Sequence, residues 1–586
     1  MPLPPRPGVA RVLAGTVLVL AVLVSTAGPA FAHAVLLRTD PAPQTTVKTA
    51  PAAVRLDFSE AVEVAFGAVR VFDVDGRRVD QGRITTANGR REVVVPASLK
   101  DGTYTVTWRV VSADGHPVHG GFQFYVGAPS TISAVAVKGD SGAGRLIGWG
   151  YGVARFCWYA ALLAVIGLIV VRRFVWTPAL AAAGLADRGD ANPRFRARFN
   201  RVLPWAWRLL LVAWLAVLVF QAASISGLGL ARSAGPAVLR DVLRTGFGRA
   251  WLYGFAFIAV LGFPVTGLTR ARGLFGARPQ TWLSVTAATA AGLALASANI
   301  GHARTESHPG LAVPSVAIHL LAVSTWVGGL GALVAVGAAG WTAVPAADRN
   351  AVLGQIVRRF SQVALVAVAV IVATGTLNSF LDLASVSDLW DTTYGRVLAT
   401  KIVLLAVALA FGAWHLWGVP RRLGRTDPAA TASRSFRRSS GLEMIVLAGA
   451  VAAASALVAL VPGRSLALAS RGPVNEEQRA GTYTVQLFID PSGPGANQVH
   501  LTFVDPSGLG AAEVTVVTGT LAPAAGGGAA PAPATPALGL RLISPGHFVA
   551  DTDLAAGRYR LDVSAPLSPP VATTFEFTIR AGGVAG

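Results

Sequence analysis

The chain has 586 residues, 53% of them hydrophobic, and a mean hydropathy of +0.54, which excludes a wholly soluble globule and describes a membrane protein with soluble parts. The formal net charge of +20 raises nucleic-acid binding, which the placement of the arginines rejects below. A single cysteine, Cys157, and two methionines, Met1 and Met444, exclude a disulfide framework and a thiolate metal site and nearly exclude a thioether one, so the nine histidines are the main metal-ligand supply.

Residues 1–32 read as a secretory signal: Arg6 and Arg11, an apolar run Val12 to Val24 too short to span a bilayer, and Ala30-Phe31-Ala32 as the cleavage site. Cleavage there leaves His33 as the first residue, with a free α-amino group beside its own imidazole. Those two nitrogens can chelate one ion. Ser112-Ala113-Asp114-Gly115-His116-Pro117 adds a carboxylate and a second imidazole two residues apart. A nitrogen-rich site with one carboxylate suits Cu(II).

Between 33 and 128, short alternating runs (Val54–Phe58, Ala68–Phe72, Tyr104–Trp108, Phe122–Val126) are punctuated by Asp75-Gly76, Asn88-Gly89, Asp101-Gly102 and Asp114-Gly115. This predicts a small all-β sandwich or barrel, with Asp114 and His116 in a loop. The start His33-Ala34-Val35-Leu36, the strand Leu56-Asp57-Phe58-Ser59-Glu60 and the 112–117 segment together resemble the periplasmic copper-binding protein CopC. The resemblance implies a Cu(II) site made by the amine and ring of His33 with Asp114 and His116. The family's Met-rich Cu(I) loop is missing. His119 is an extra imidazole, readable as a surface residue, a substitute ligand or an outer partner of the site.

Eight apolar runs follow within 146–464, at about 148–171, 205–230, 250–269, 280–300, 312–338, 360–381, 396–418 and 441–462, predicting an eight-helix transmembrane bundle. The first, third, fifth and seventh connections are arginine-rich: Arg172 to Arg201, Arg270 to Arg278, Arg349 to Arg359, and Arg421 to Arg438. By the positive-inside rule these are cytoplasmic, so both chain ends face outward and the excess charge is topological rather than a nucleic-acid footprint. His302 and His308 fall in the fourth connection, and His319 one or two turns into the fifth helix, all expected at the outer mouth of the bundle. Lys401 and Arg155 are expected to snorkel or pair, and His415, between Trp414 and Trp417, to sit at an interface.

Gly301-His302-Ala303, His319 with Trp326-Val327-Gly328-Gly329, Arg359-Phe360-Ser361, Thr374-Gly375, Tyr394-Gly395-Arg396 with Lys401, and Glu443 resemble the CopD copper-resistance membrane family. The match falls mainly on 312–462. The family's Asn near the end of the seventh helix is replaced by Trp414-His415-Leu416-Trp417. His302, His308 and His319 are candidate relay residues for metal, against the alternative of imidazoles bonded to helix carbonyls or exposed in a loop.

Strand-like runs return over 479–584, interrupted by a Pro/Ala/Gly stretch at about 521–537, and predict a second, extracytoplasmic β-sandwich. Pro494-Gly495-Ala496-Asn497 and Pro545-Gly546-His547-Phe548 resemble YtkA-like domains. His500 alternates with Gln498 and Thr502, which predicts a solvated face, and His547 lies in a predicted turn. Neither is assigned to metal. The sequence thus reads as a non-enzymatic, multi-pass cell-membrane protein with copper ion and membrane lipid as partners, and an extracytoplasmic copper protein of unstated identity as a further one. On this reading it is expected to capture Cu(II) outside and pass it to the membrane domain for copper uptake, homeostasis or resistance. The alternatives are a copper-dependent redox enzyme using His33, and a copper sensor or assembly factor. Filling of a coordination position by Asp114 disfavours the first. No P-loop supports ATP-driven pumping.

Overall fold

The computed structural model describes residues 36–127, 143–464 and 474–579, apart from 43–44, 59–60, 65–68, 74–76, 83, 89–91, 113–116, 227, 270–278, 305–307, 424–428, 461, 491–493, 505–510, 512, 524–536, 545 and 568–569. The chain divides into a helical unit, Ala143–Gly463, and a second unit drawn from Ala32–Gly142 and Arg464–Gly586. The two segments of the second unit each build their own sheets around their own core. The mixed architecture expected from the sequence, β then helices then β, is the observed one.

The N-terminal β segment packs two sheets. One has the order β1 (Leu36–Asp40), β3 (Ala53–Phe58), β7 (Glu92–Pro96), β6 (Thr85–Ala87). The other has β2 (Thr46–Val47), β9 (Pro117–Val126), β8 (Gly102–Ser112), β4 (Val62–Glu63), with β5 (Val69–Phe72) also on β8. Pairing is antiparallel except between β2 and β9. The period of two in the sequence places Val54, Leu56 and Phe58 from one sheet against Tyr104, Val106, Trp108, Phe122 and Phe124 from the other, all buried. Each such side chain contributes roughly 1.5–3 kcal/mol on burial.

In the helical unit, among the described residues, seven helices are long and apolar enough to cross a membrane. They are α1 (Leu146–Ala182), α2 (Ala191–Ser226), α3 (Gly246–Thr269), α4 (Thr281–Ala298), α5 (Pro309–Trp341), α6 (Ala346–Asp382) and α7 (Thr393–Leu423, apolar over Thr393–Trp414). The eighth apolar run is the C-terminal part, Gly441–Leu457, of α8 (Ala429–Leu457). Two differences from the expected elements concern charge. Arg194, Arg196, Arg198 and Arg201 lie on α2 rather than in a loop, because arginine is a good helix former and the helix begins well before its apolar stretch. Glu443, near the start of the expected run 441–462, lies well inside the last helix, buried.

Aromatic and glycine contacts close the bundle. Trp214 Nε1 donates to the Trp251 carbonyl (3.2 Å) and Trp251 Nε1 to the Trp214 carbonyl (2.9 Å), a reciprocal lock between α2 and α3. Trp326, Val327 and Gly328 belong to a π-helical turn, Ser324–Gly328, within α5, and Gly329 follows it. There Gly328 meets the backbone of Leu163 and Gly167 on α1, and Phe360 of α6 packs on Gly329. Without a Cβ on either side, the two helix backbones approach directly. Arg155, expected to pair, holds its guanidinium 3.7 Å from the Tyr151 ring centroid one turn earlier.

The C-terminal β segment has a five-stranded sheet, β10 (Val474–Ala480), β11 (Tyr483–Asp490), β12 (Gly495–Val504), β15 (His547–Leu554), β14 (Arg541–Ser544). A three-stranded sheet, β13 (Thr518–Pro523), β16 (Gly557–Ala565), β17 (Val571–Ile579), packs over it through one apolar core.

Candidate metal centres

Three places in the chain carry candidate metal ligands. The first lies in the N-terminal β segment. His33, Asp114 and His116 fall outside the described residues. The elements that lead to them do not. Leu36 opens β1 opposite Phe58, the last residue of β3. Just beyond Phe58 the chain enters β4, where Val62 pairs with Ser112, the last residue of β8. Phe58 and Trp108 meet edge to face across the core, ring centroids 5.5 Å apart. Leu36 and Ser112 thus lie opposite Phe58 and Val62, which are four residues apart in the chain. Val111 pairs with Pro117, so β8 and β9 are neighbouring strands. β9 thus starts five residues ahead of the apolar run from Phe122. His119 lies in β9, opposite Arg109 of β8.

The second centre lies between α5 and α6. Two polar pairs join these helices: Ser315 Oγ donates to Asn378 Oδ1 (2.7 Å), and His319 Nδ1 meets Thr374 Oγ1 (2.9 Å). Ser315 and His319 are one turn apart, as are Asn378 and Thr374, so the pairs stack along an antiparallel contact. The tautomer of His319 follows. Thr374 has one hydroxyl proton, which it donates to the Val370 carbonyl (2.6 Å). Toward His319 it can only accept, so Nδ1 carries the ring proton and Nε2 presents its lone pair. Gly375 lets α6 lie close to the ring, since a Cβ there would stand 3.4 Å from His319 Cε1. Lys401 on α7 is within electrostatic reach of both His319 and Asp382, and Tyr394 donates to Asp382 Oδ2 (2.6 Å). The motifs around His319, Thr374-Gly375 and Tyr394 with Lys401 thus converge on one polar cluster in the bundle.

His302 belongs to a short 3-10 turn, His302–Arg304, that packs against the start of α5. His308 is exposed and immediately precedes α5, its backbone carbonyl receiving the Leu311 and Ala312 amides at 3.0 Å. His415 lies on α7. Met444, the sole methionine besides Met1, rests its methyl group over Gly331 of α5. Among the described residues no group of three or more His, Cys, Asp and Glu side chains is assembled that could hold a metal ion.

The third place corrects an expectation. His500 does alternate with Gln498 and Thr502 along β12, but it is not solvated: it is 4% exposed, and His547 is 2% exposed. Neighbouring rings on the same face cover it. Phe488 lies 5.9 Å away edge-on and His547 5.4 Å away, centroid to centroid. His547 is not in a turn but opens β15, one residue after Gly546 in a left-handed turn conformation (φ 69°). Burial, then the neighbouring His547, holds His500 at about 3, with Asp551 opposing; burial holds His547 at about 4. Both lie below the ordinary imidazole value of about 6.5. Glu476, buried and then faced by Glu576, is pushed up to about 7.

These shifts act on stability in opposite senses. As pH falls below about 6.5 the unfolded histidines take up protons and the folded ones do not until about 4, so their contribution is lost on acidification. Glu476 contributes stability below about 4.5 that is lost as pH rises toward 7. Two rings outweigh one carboxyl. Between pH 6.5 and 4.5 the C-terminal segment should lose about 1 kcal/mol per pH unit, read as amide hydrogen exchange in β12 and β15. His547→Gln should flatten that dependence.

Residues 36–127 match the CopC domain, residues 146–311 the Copper resistance protein D-like N-terminal domain, and residues 354–457 Copper resistance protein D. The chain is 28% identical over 493 residues to the copper transport protein CutJ of Bacillus subtilis (strain 168), covering 83% of this chain and 84% of that protein. It is 34% identical over 124 residues to Copper resistance protein C of Xanthomonas campestris pv. juglandis, covering 20% of this chain and 96% of that protein. Among solved structures, CopC from Methylosinus trichosporium OB3b is 34% identical and covers 17% of this chain and 95% of its own, with a TM-score of 0.15.

Proposed function

Because the chain belongs to the copper-resistance proteins, joining a CopC domain to a CopD domain in one multi-pass membrane polypeptide, we propose that it captures Cu(II) outside the cell and hands the ion to the membrane bundle. Proteins of this kind bind and transport copper rather than catalyse. In this reading a signal is removed after Ala32, and both β segments face outward. The amine and imidazole of His33, with Asp114 and His116, form the capture centre, and His119 stands near it as an outer partner. His302, His308 and His319 carry the ion onward.

The observation that carries the relay is the state of His319. A histidine inside a membrane helix is expensive unless it is partnered or functional. Here Nδ1–H is bonded to Thr374, which leaves Nε2 as a neutral donor toward the ion. Fixing of one ring nitrogen by a hydrogen bond is how proteins orient imidazole for metal. Thr374 thus positions the ring, and Lys401 and Asp382 set the local charge through which copper moves.

Cellular copper content tests this. Cells carrying His319→Gln should show the copper level of cells lacking the protein, with unchanged amounts of protein in the membrane. Thr374→Val should give an intermediate level, because the ring is kept and its orientation lost. Wild-type copper content in His319→Gln cells would remove His319 from the path.

A further inference from the structure

The buried ring pair of the C-terminal sheet is used by none of the steps above. Its hydrogen bonds can be read outward from the one group whose role is fixed. Asp551 is a carboxylate and only accepts. It receives Arg541 on Oδ2 (3.0 Å) and the Gln498 amide nitrogen on Oδ1 (2.9 Å). Gln498 must therefore turn its carbonyl oxygen to His500 Nε2, 3.0 Å away. That nitrogen then carries the proton of His500, and Nδ1 is left with a lone pair. His547 Nε2, 3.2 Å from it, must donate. The remaining nitrogen, His547 Nδ1, is then a bare lone pair with no hydrogen-bond partner in a side chain that is 2% exposed. A buried acceptor left unbonded costs about 1–3 kcal/mol, and both rings are uncharged at neutral pH.

We propose that His500 and His547 form a second copper site, separate from the N-terminal ligand set and from the membrane relay, which holds copper as Cu(I) between His500 Nδ1 and His547 Nε2. The identity of the ion rests on the copper function proposed above; the donor pair does not. The ion replaces the proton shared by the two rings. That proton moves to His547 Nδ1, where the lone pair is vacant, so both rings stay neutral and no proton is released. The facing nitrogens part from 3.2 Å to about 4 Å, twice a metal–imidazole distance of about 2 Å, a shift of less than one ångström. The other nitrogen of His500 already donates to Gln498, which is in turn held by Asp551, the supporting chain that orients a ligating imidazole. That chain also sets a carboxylate near an added positive charge. Cu(II) and Zn(II) are disfavoured because they call for four donors, whereas a closed-shell monovalent ion is satisfied by two nitrogens in line.

The test uses the full-length protein in detergent under reducing conditions, with Cu(I) presented by a chromogenic chelator and Ag(I) as a redox-inert stand-in. Wild type should bind one more equivalent of Cu(I) than His547→Gln or His500→Gln. Its affinity for that equivalent should not change between pH 8 and 6.5, since binding releases no proton. Should either variant fail to fold, the wild type alone decides: saturating Ag(I) should slow amide exchange in β12 and β15 at least tenfold. Equal stoichiometry in folded variants, or unchanged exchange in those strands, overturns the proposal. His33→Ala should keep this equivalent while losing Cu(II) capture, so failure of the outer centre and failure of the ring pair give different results.

Discussion

Gly328→Val should abolish the folded membrane unit. A Cβ at 328 would run into the Leu163 carbonyl, and one at 167 into the Gly328 backbone. Both obstacles are main chain of a neighbouring helix, so no rotamer change relieves them. Overpacking of a core usually costs 1–3 kcal/mol; with two backbones as the clashing parts the loss should be about 3 kcal/mol or more. Gly167→Ala should act in the same direction. Gly354→Ala on α6, where an added Cβ meets nothing within 4 Å, should instead stabilise by about 0.5–1 kcal/mol. Thermal unfolding in detergent, followed by size exclusion, reads all three. A folded Gly328→Val protein with wild-type melting would mean that α1 and α5 do not meet here.

The second large effect belongs to the capture centre. His33→Ala should lower the affinity of the processed protein for Cu(II) by more than the roughly 10- to 100-fold that loss of a supporting partner costs, because a ring nitrogen of the chelate itself is removed. In wild type the affinity should fall as pH drops from about 8 to about 6. The α-amine, near 7.7–8.0, and the imidazole, near 6.5, must lose protons to bind. Isothermal titration across that range measures it, and an affinity at pH 5 equal to that at pH 8 would count against an amine–imidazole chelate. Mass spectrometry of the mature chain supplies the independent check. A first residue other than His33 removes the amine from the ligand set.

Much of the architecture was legible before any coordinates. A period of two over Val54–Phe58 and Tyr104–Trp108 and uninterrupted apolar runs such as 360–381 report which solvent each face meets, and that is a local property of the chain. The helix limits were less legible. The arginines of 194–201 read as loop because they are charged, yet they extend α2, since charge does not oppose helix at an interface. His500 shows the same limit from the other side. Its alternation with Gln498 and Thr502 holds, but whether that face is wet depends on Phe488 and His547 from neighbouring strands.

By itself the sequence determined the succession of β, membrane and β segments, the resemblance to CopC and CopD, and the histidines available to copper. Hydrophobic periodicity and motif spacing lie within short stretches of chain, so they survive without a fold. Which nitrogen of His319 faces an ion was decided by Thr374, 55 residues away, and the pairing of His500 with His547 bridges 47 residues. A proton's position depends on what its neighbour can donate or accept, and distant neighbours exist only once the chain has packed.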